Sequence, residues 1–203
     1  MEMKKLDFSE TFKDAVVIGV KNAPSVIATI VLFLITIWIP YINIGTFIAV
    51  SLLPTQLAKG EVINPLDIFD SKYRRYMGEF LITMGLMVIP IYIALIFMIV
   101  PGIVLSLAWT LAYYFLIEKS KNPIQAIKAS NDATYGSKWT MFFVVLVYVV
   151  VVAIILGILS TICELINVGF ITFIVMFVLI VLVMSTSMAI QASFWKQLKD
   201  NVE

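Results

Sequence analysis

The most constraining feature of this chain is the run from Trp139 to Cys163, which holds no charged side chain. At ~1.5 Å per residue a helix over that run exceeds the ~30 Å hydrocarbon core of a bilayer. Similar apolar stretches cover residues 24–58, 79–100, 103–118 and 170–194. Hydrophobic residues make up 62% of the 203 and charged residues 13%, where soluble domains carry about 45–50% and roughly 25%. A soluble fold of this size cannot hide so much apolar surface. The chain therefore reads as an all-α membrane protein.

Residues 7–22 are amphipathic. Asp7 is a candidate N-cap with Glu10 three residues on. Phe12, Val16 and Val20 share a face, and Lys13 and Lys21 lie on or near the other. A helix here can rest in the headgroup layer or pack on the protein's own core. The charged residues after Lys4 and Lys5 do not suit a signal peptide, so the start is expected to be retained.

Residues 24–58 would span ~50 Å as one helix, too long for a single crossing. The sequence Ile39–Gly45 contains Pro40 and Asn43 and suits a turn. The expectation is a hairpin of helices at 24–39 and 45–58, with Trp38 and Tyr41 at the far interface. A second surface helix begins at Asn64-Pro65, carries Leu66, Phe69, Tyr73 and Tyr76 on its apolar side, and ends near Gly78. Crossing helices follow at 79–100, kinked at Pro90, and at 103–118 after a Pro101-Gly102 turn. A third surface helix spans 123–135. The last crossings are 139–162 and 170–194, joined by a turn holding Cys163, Glu164, Asn167 and Gly169.

This arrangement gives six transmembrane helices in three hairpins, each preceded by an interfacial amphipathic helix. It puts all 14 basic residues on one side and leaves Glu164 as the charged residue on the other. The positive-inside rule makes the basic side cytoplasmic. The chain is then a multi-pass protein of the inner membrane with both termini in the cytoplasm. Merging the first two helices would separate the first four lysines from the other ten basic residues. Asn64 to Gly78 and Asn122 to Gly136 match in spacing, so one domain, 1–203, is read as three repeats over 7–58, 64–118 and 122–195.

The pattern Pro101-Gly102-Ile103, Tyr114-Phe115, Ser120 to Pro123, Ala126-Ile127, Ser130, Thr134, Gly136 and Trp139 resembles a bacterial and archaeal group of integral membrane proteins. That group is similar to the membrane domain attached to some glycerophosphodiester phosphodiesterases. Phe8, Phe12, Gly60 and Asp67 to Phe69 also fit it. The resemblance implies a helical membrane fold. The motif residues belong to the membrane part, so it implies no phosphodiester hydrolysis.

The chain has no histidine and one cysteine, Cys163. Nucleophilic or metal catalysis has little to build on, and no catalytic residue, cofactor or metal site is expected. Glu79, Glu118 and Glu164 fall near helix ends rather than at a midplane, which disfavours proton-coupled transport. Ser106, Thr110, Ser185, Thr186 and Ser187 can pack helices or line a path. Ala153 with Gly157 and Ser185 with Ala189 are spaced for close helix approach. Lys72, Arg74 and Arg75 lie among Tyr73 and Tyr76, and Lys119, Lys121, Lys128 and Lys138 surround the third surface helix. These seven are candidate contacts for anionic lipid headgroups or a partner, or plain topological anchors. Net charge is +1, with no field that suggests nucleic acid. The expected function is non-enzymatic and acts through lipid or partner contacts, in a homo-oligomer or with another membrane protein. The alternative is a small uncoupled permease or channel.

Overall fold

The computed structural model describes residues 4–166 and 169–202, and these form helices and turns. The helices are α1 (Phe8–Thr36), α2 (Ile42–Ser51), α3 (Leu53–Leu57), α4 (Ser71–Arg75), α5 (Met77–Phe97), α6 (Ile99–Ala108), α7 (Ala112–Glu118), α8 (Pro123–Ala133), α9 (Lys138–Ile166) and α10 (Gly169–Leu198), with a 3-10 turn at Pro65–Phe69 before α4. Among the described residues, five segments are long and apolar enough to cross a membrane: Phe8–Thr36, Met77–Phe97, Ile99–Glu118, Lys138–Cys163 and Thr172–Asn201. The α2 segment is apolar but short.

Several expected boundaries move. The surface helix at 7–22 and the first crossing at 24–39 are one helix, which runs through Pro24. Pro24 removes a single backbone donor. Asn22 does not end the helix: its Nδ2 donates back to Ile18 O at 3.1 Å and its Oδ1 accepts from Ile63 N at 3.1 Å. The expected helix after Asn64 is split at Asp70, which caps α4 by accepting from Lys72 N. Gly78 lies inside α5, whereas Gly136 follows α8 with φ +77°, a conformation glycine adopts freely. The chain reverses at Met98 (φ −153°, ψ 110°), so Pro101 and Gly102 belong to the first turns of α6 rather than to the reversal. A Cβ at Gly102 would fall 2.5 Å from Leu95 Cγ and 2.8 Å from Leu95 N, so glycine lets α6 lie directly on α5. The expected helix at 103–118 is interrupted between Ala108 and Ala112. α9 continues to Ile166. Asn167 and the Glu164 side chain lie outside the described residues.

The buried side chains gather near the charged ends of the helices. Tyr114, Phe115 and Leu116 of α7 pack with Ala126, Ala129 and Ala133 of α8 and with Phe194, Trp195 and Leu198 of α10. Ile48, Leu52, Tyr73 and Phe80 extend this core through α2, α4 and α5. In contrast, α9 exposes Val149, Ile154 and Ile158, and the first half of α10 exposes Phe173 and Phe177. Apolar side chains left open on helices of this length match a lipid environment.

α1 and α10 run antiparallel and make the most extensive helix pair. Ser185 Oγ donates to Gly19 O at 2.6 Å, and a Cβ on Gly19 would meet the Thr186 backbone at 2.8 Å. Near their charged ends, Lys196 Nζ lies 3.1 Å from Asp14 Oδ2 and 3.3 Å from Glu10 Oε1. The chain ends meet beside them. Lys4 N donates to Asn201 Oδ1 at 2.9 Å, and Asn201 Nδ2 donates to Lys4 O at 2.8 Å.

Candidate functional site

The basic residues singled out in the sequence fall into two groups. The first forms where α4 meets the end of α7. Tyr76 Oη and Ser120 Oγ are 3.1 Å apart, which brings Lys72, Arg74 and Arg75 to the segment carrying Lys119 and Lys121. Asp70 starts α4 and holds Lys72, with Nζ 3.7 Å from Asp70 Oδ2 and 4.9 Å from the Tyr73 ring centre. Arg74 Nη1 donates to Phe69 O at 3.2 Å. Arg75 and Lys119 are exposed.

Beside these cations lies a polar layer whose pairing the sequence did not show. Gln56 Nε2 donates to Tyr73 Oη at 2.7 Å, and Thr55 Oγ1 donates to Glu118 Oε1 at 3.1 Å. Each bond joins residues far apart in the chain, and no local pattern marks them. Burial pushes the Tyr73 hydroxyl above its ordinary value, and this outweighs the lowering by Lys72 and Gln56. For Lys72, burial pulls downward, but Tyr73 and Asp70 outweigh it and the amine is raised. Lys72 therefore stays an ammonium across the physiological range.

The second group lies at the far end of α8. Asn122 accepts from Gln125 N at 2.9 Å and closes a capping box at the start of that helix. Its alanine face is buried on α7, while Lys128 points outward. Lys138 begins α9 and donates from Nζ to Asn131 Oδ1 at 2.8 Å. The seven candidates are thus not one cluster. Five sit beside α4 and α7, and α8 separates them from Lys138, with Lys128 on its outer side.

Four of the five helix hydroxyls considered for a path bond to the backbone. Ser106 Oγ donates to Ile103 O, Ser187 Oγ to Met184 O and Thr186 Oγ1 to Leu182 O, at 2.7–2.8 Å. Ser185 ties α10 to α1, and Tyr148 Oη donates to Val183 O at 2.7 Å, tying α9 to α10. These bonds make the hydroxyls packing elements.

One contact bears on how the chain lies in the membrane. Arg74 packs directly on Gly45: a Cβ there would fall 2.8 Å from Arg74 Cγ. At the expected far turn, Thr36 Oγ1 and Thr46 Oγ1 are 3.0 Å apart. The turn between α1 and α2 is therefore close to the basic α4, not a bilayer thickness from it. The sequence expectation had set Arg74 and this turn on opposite sides.

No protein-family model, no curated protein and no solved structure matches the chain.

Proposed function

We propose that this is a non-enzymatic, multi-pass membrane protein that acts through its basic end by contacting anionic lipid headgroups. The observation that carries this reading is the junction at Tyr76 and Ser120, where cations from α4 and the end of α7 converge beside a hydrogen-bonded layer. Each Lys or Arg near an anionic surface contributes about 1 kcal/mol of attraction. The bonding of Ser106, Ser185, Thr186 and Ser187 to backbone carbonyls uses the one O–H each can donate and leaves the permease reading with their acceptor lone pairs alone.

The basic end is the cytoplasmic one in this proposal, by the positive-inside rule. The paired Lys4 and Asn201 support an even number of crossings, because an odd number would put the chain ends on opposite faces. Five candidate segments then reduce to four or grow to six. The Arg74–Gly45 contact favours four: α5, α6 with α7, α9 and α10. The first half of α1 then stands beside the last turns of α10 at the basic end, and the α1–α2 turn stays near α4, with Trp38 (87% exposed) and Tyr41 (64%) as interfacial anchors. The motif resemblance to the membrane domains of some phosphodiesterases is kept as part of the proposal, for fold alone.

The test is lipid retention. The full chain is purified in mild detergent from membranes containing anionic and zwitterionic phospholipids, and its bound lipids are counted by native mass spectrometry. Wild type is expected to carry mainly anionic lipid, and Arg74→Ala with Arg75→Ala to carry several-fold less. Equal retention by both proteins would refute the reading.

A further inference from the structure

Between α6 and α9 lies a cleft of about 500 Å³, well within the ~300–1,000 Å³ typical of small-molecule sites. Val104 and Leu107 of α6 form one wall, and Trp139 and Phe142 of α9 form the other. Tyr135 and Lys138, at the link from α8 to α9, close its basic end. Both walls belong to segments long and apolar enough to cross a membrane.

The two ends of the cleft differ in chemistry. The walls offer hydrocarbon and aromatic surface. The closed end offers an ammonium, a phenol and an indole. The turn at Gly136 (φ +77°) sets the start of α9, and Asn131 holds the Lys138 amine at 2.8 Å. That bond uses one of three N–H donors. Tyr135 (64% exposed) and Trp139 (73% exposed) have the amphipathic rings that collect at headgroup depth. An occupant must therefore carry a hydrocarbon chain and an anionic oxygen at one end of it.

We propose that this cleft seats one acyl chain of an anionic phospholipid from the adjoining leaflet, with its phosphate on the Lys138 ammonium. The proposal rests on the reading of the basic end as the headgroup-facing side. The chain and the headgroup have separate tasks. Moving an acyl chain from bilayer to cleft changes little in polarity, because lipid tails are as apolar as the walls. The chain thus decides where the lipid stands. The charge-assisted bond to Lys138 decides which lipid it is.

The full chain in mild detergent is offered an equimolar mixture of phosphatidylglycerol and phosphatidylcholine, and retained lipid is read by native mass spectrometry. Wild type is expected to retain one phosphatidylglycerol in several-fold preference. Val104→Trp, at a position 43% exposed and outside the core, fills the cleft and should reduce that occupancy several-fold. Ile103→Trp provides a second filler. In a background of Arg74→Ala with Arg75→Ala, which removes the α4 contribution, Lys138→Gln should keep a lipid but lose the preference, while Lys128→Gln keeps both. Unchanged retention in both tryptophan variants, or an intact preference in Lys138→Gln, overturns the cleft site. If Arg74→Ala with Arg75→Ala still lowers anionic lipid in that case, the basic-face reading stands without the cleft. If no variant changes retention, both fall.

Discussion

Ser130 and Ala108 are joined across the break in the third long apolar segment: Ser130 Oγ donates to Ala108 O at 2.7 Å and accepts from Leu111 N at 3.1 Å. A helix interrupted between Ala108 and Ala112 leaves backbone groups without helical partners. One hydroxyl on α8 serves two of them. Ser130 is fully buried, so water does not replace it. Ser130→Ala is expected to destabilise the protein by ~1–3 kcal/mol, the cost of leaving buried groups unpaired. Thr134 reaches Ala108 O only at 3.4 Å, so Thr134→Val should lose less from that contact. Thermal unfolding in detergent compares the two.

Close helix approach depends on Gly19 and Gly102. Gly19→Ala would drive a methyl into the Thr186 backbone, and Gly102→Ala would drive one into Leu95. Overpacking of this kind costs about 1–3 kcal/mol. Gly85 has no neighbour within 4 Å of the added Cβ, so Gly85→Ala should unfold at the wild-type temperature or slightly above it. An equal drop in melting temperature for all three would contradict the assigned contacts.

The hairpin of α1 to α3 has a topological signature. With Cys163→Ser as background, single cysteines at Asn43 and Gly60 are expected to react with a membrane-impermeant maleimide from the same face. Reaction from opposite faces would restore six crossings and contradict the placement drawn from Arg74 and Gly45.

Alkaline pH should loosen the α3–α4 contact. Tyr73 and Lys72 both have folded-state values raised above their ordinary 10.0 and 10.5. A raised value means that the stabilisation is complete below the unfolded value and is lost as pH climbs through the folded one. The melting temperature should therefore be insensitive to these groups up to about pH 10 and fall above it. Tyr73→Phe should show a shallower alkaline fall, because no phenol remains to ionise.

The long apolar segments, the caps at Asp7 and Asn122 and the glycine turn at 136 were legible because each is encoded by adjacent residues. The Met98 reversal was misplaced because Pro101 and Gly102 carry turn-like character. Proline in the first turn of a helix has no bond to lose, and this glycine is required by Leu95, not by a turn. The boundary expected between residues 22 and 24 is absent for a related reason: the helix bridges Pro24 through one missing donor. The candidate cations were identifiable as residue types near the membrane ends. Their separation into two groups was not, because it depends on how α8 lies against α7. The pairs Thr55–Glu118 and Gln56–Tyr73 were invisible for the same reason, since each partner takes its meaning from a distant segment.

The pairing of α1 with α10 also orders events during synthesis. α1 is made long before the atoms that complete it: Ser185 for Gly19, Ser193 and Lys196 for Asp14, Gln197 for Asp7 and Thr11. Until residue 197 has left the ribosome, α1 has no permanent neighbour along that face. Contacts of such sequence separation form slowly, and exposed apolar surface in the interval invites misassembly. A nascent chain halted before Ser185 would hold an α1 without its partner, so a helix made before α2 to α9 is secured only after them.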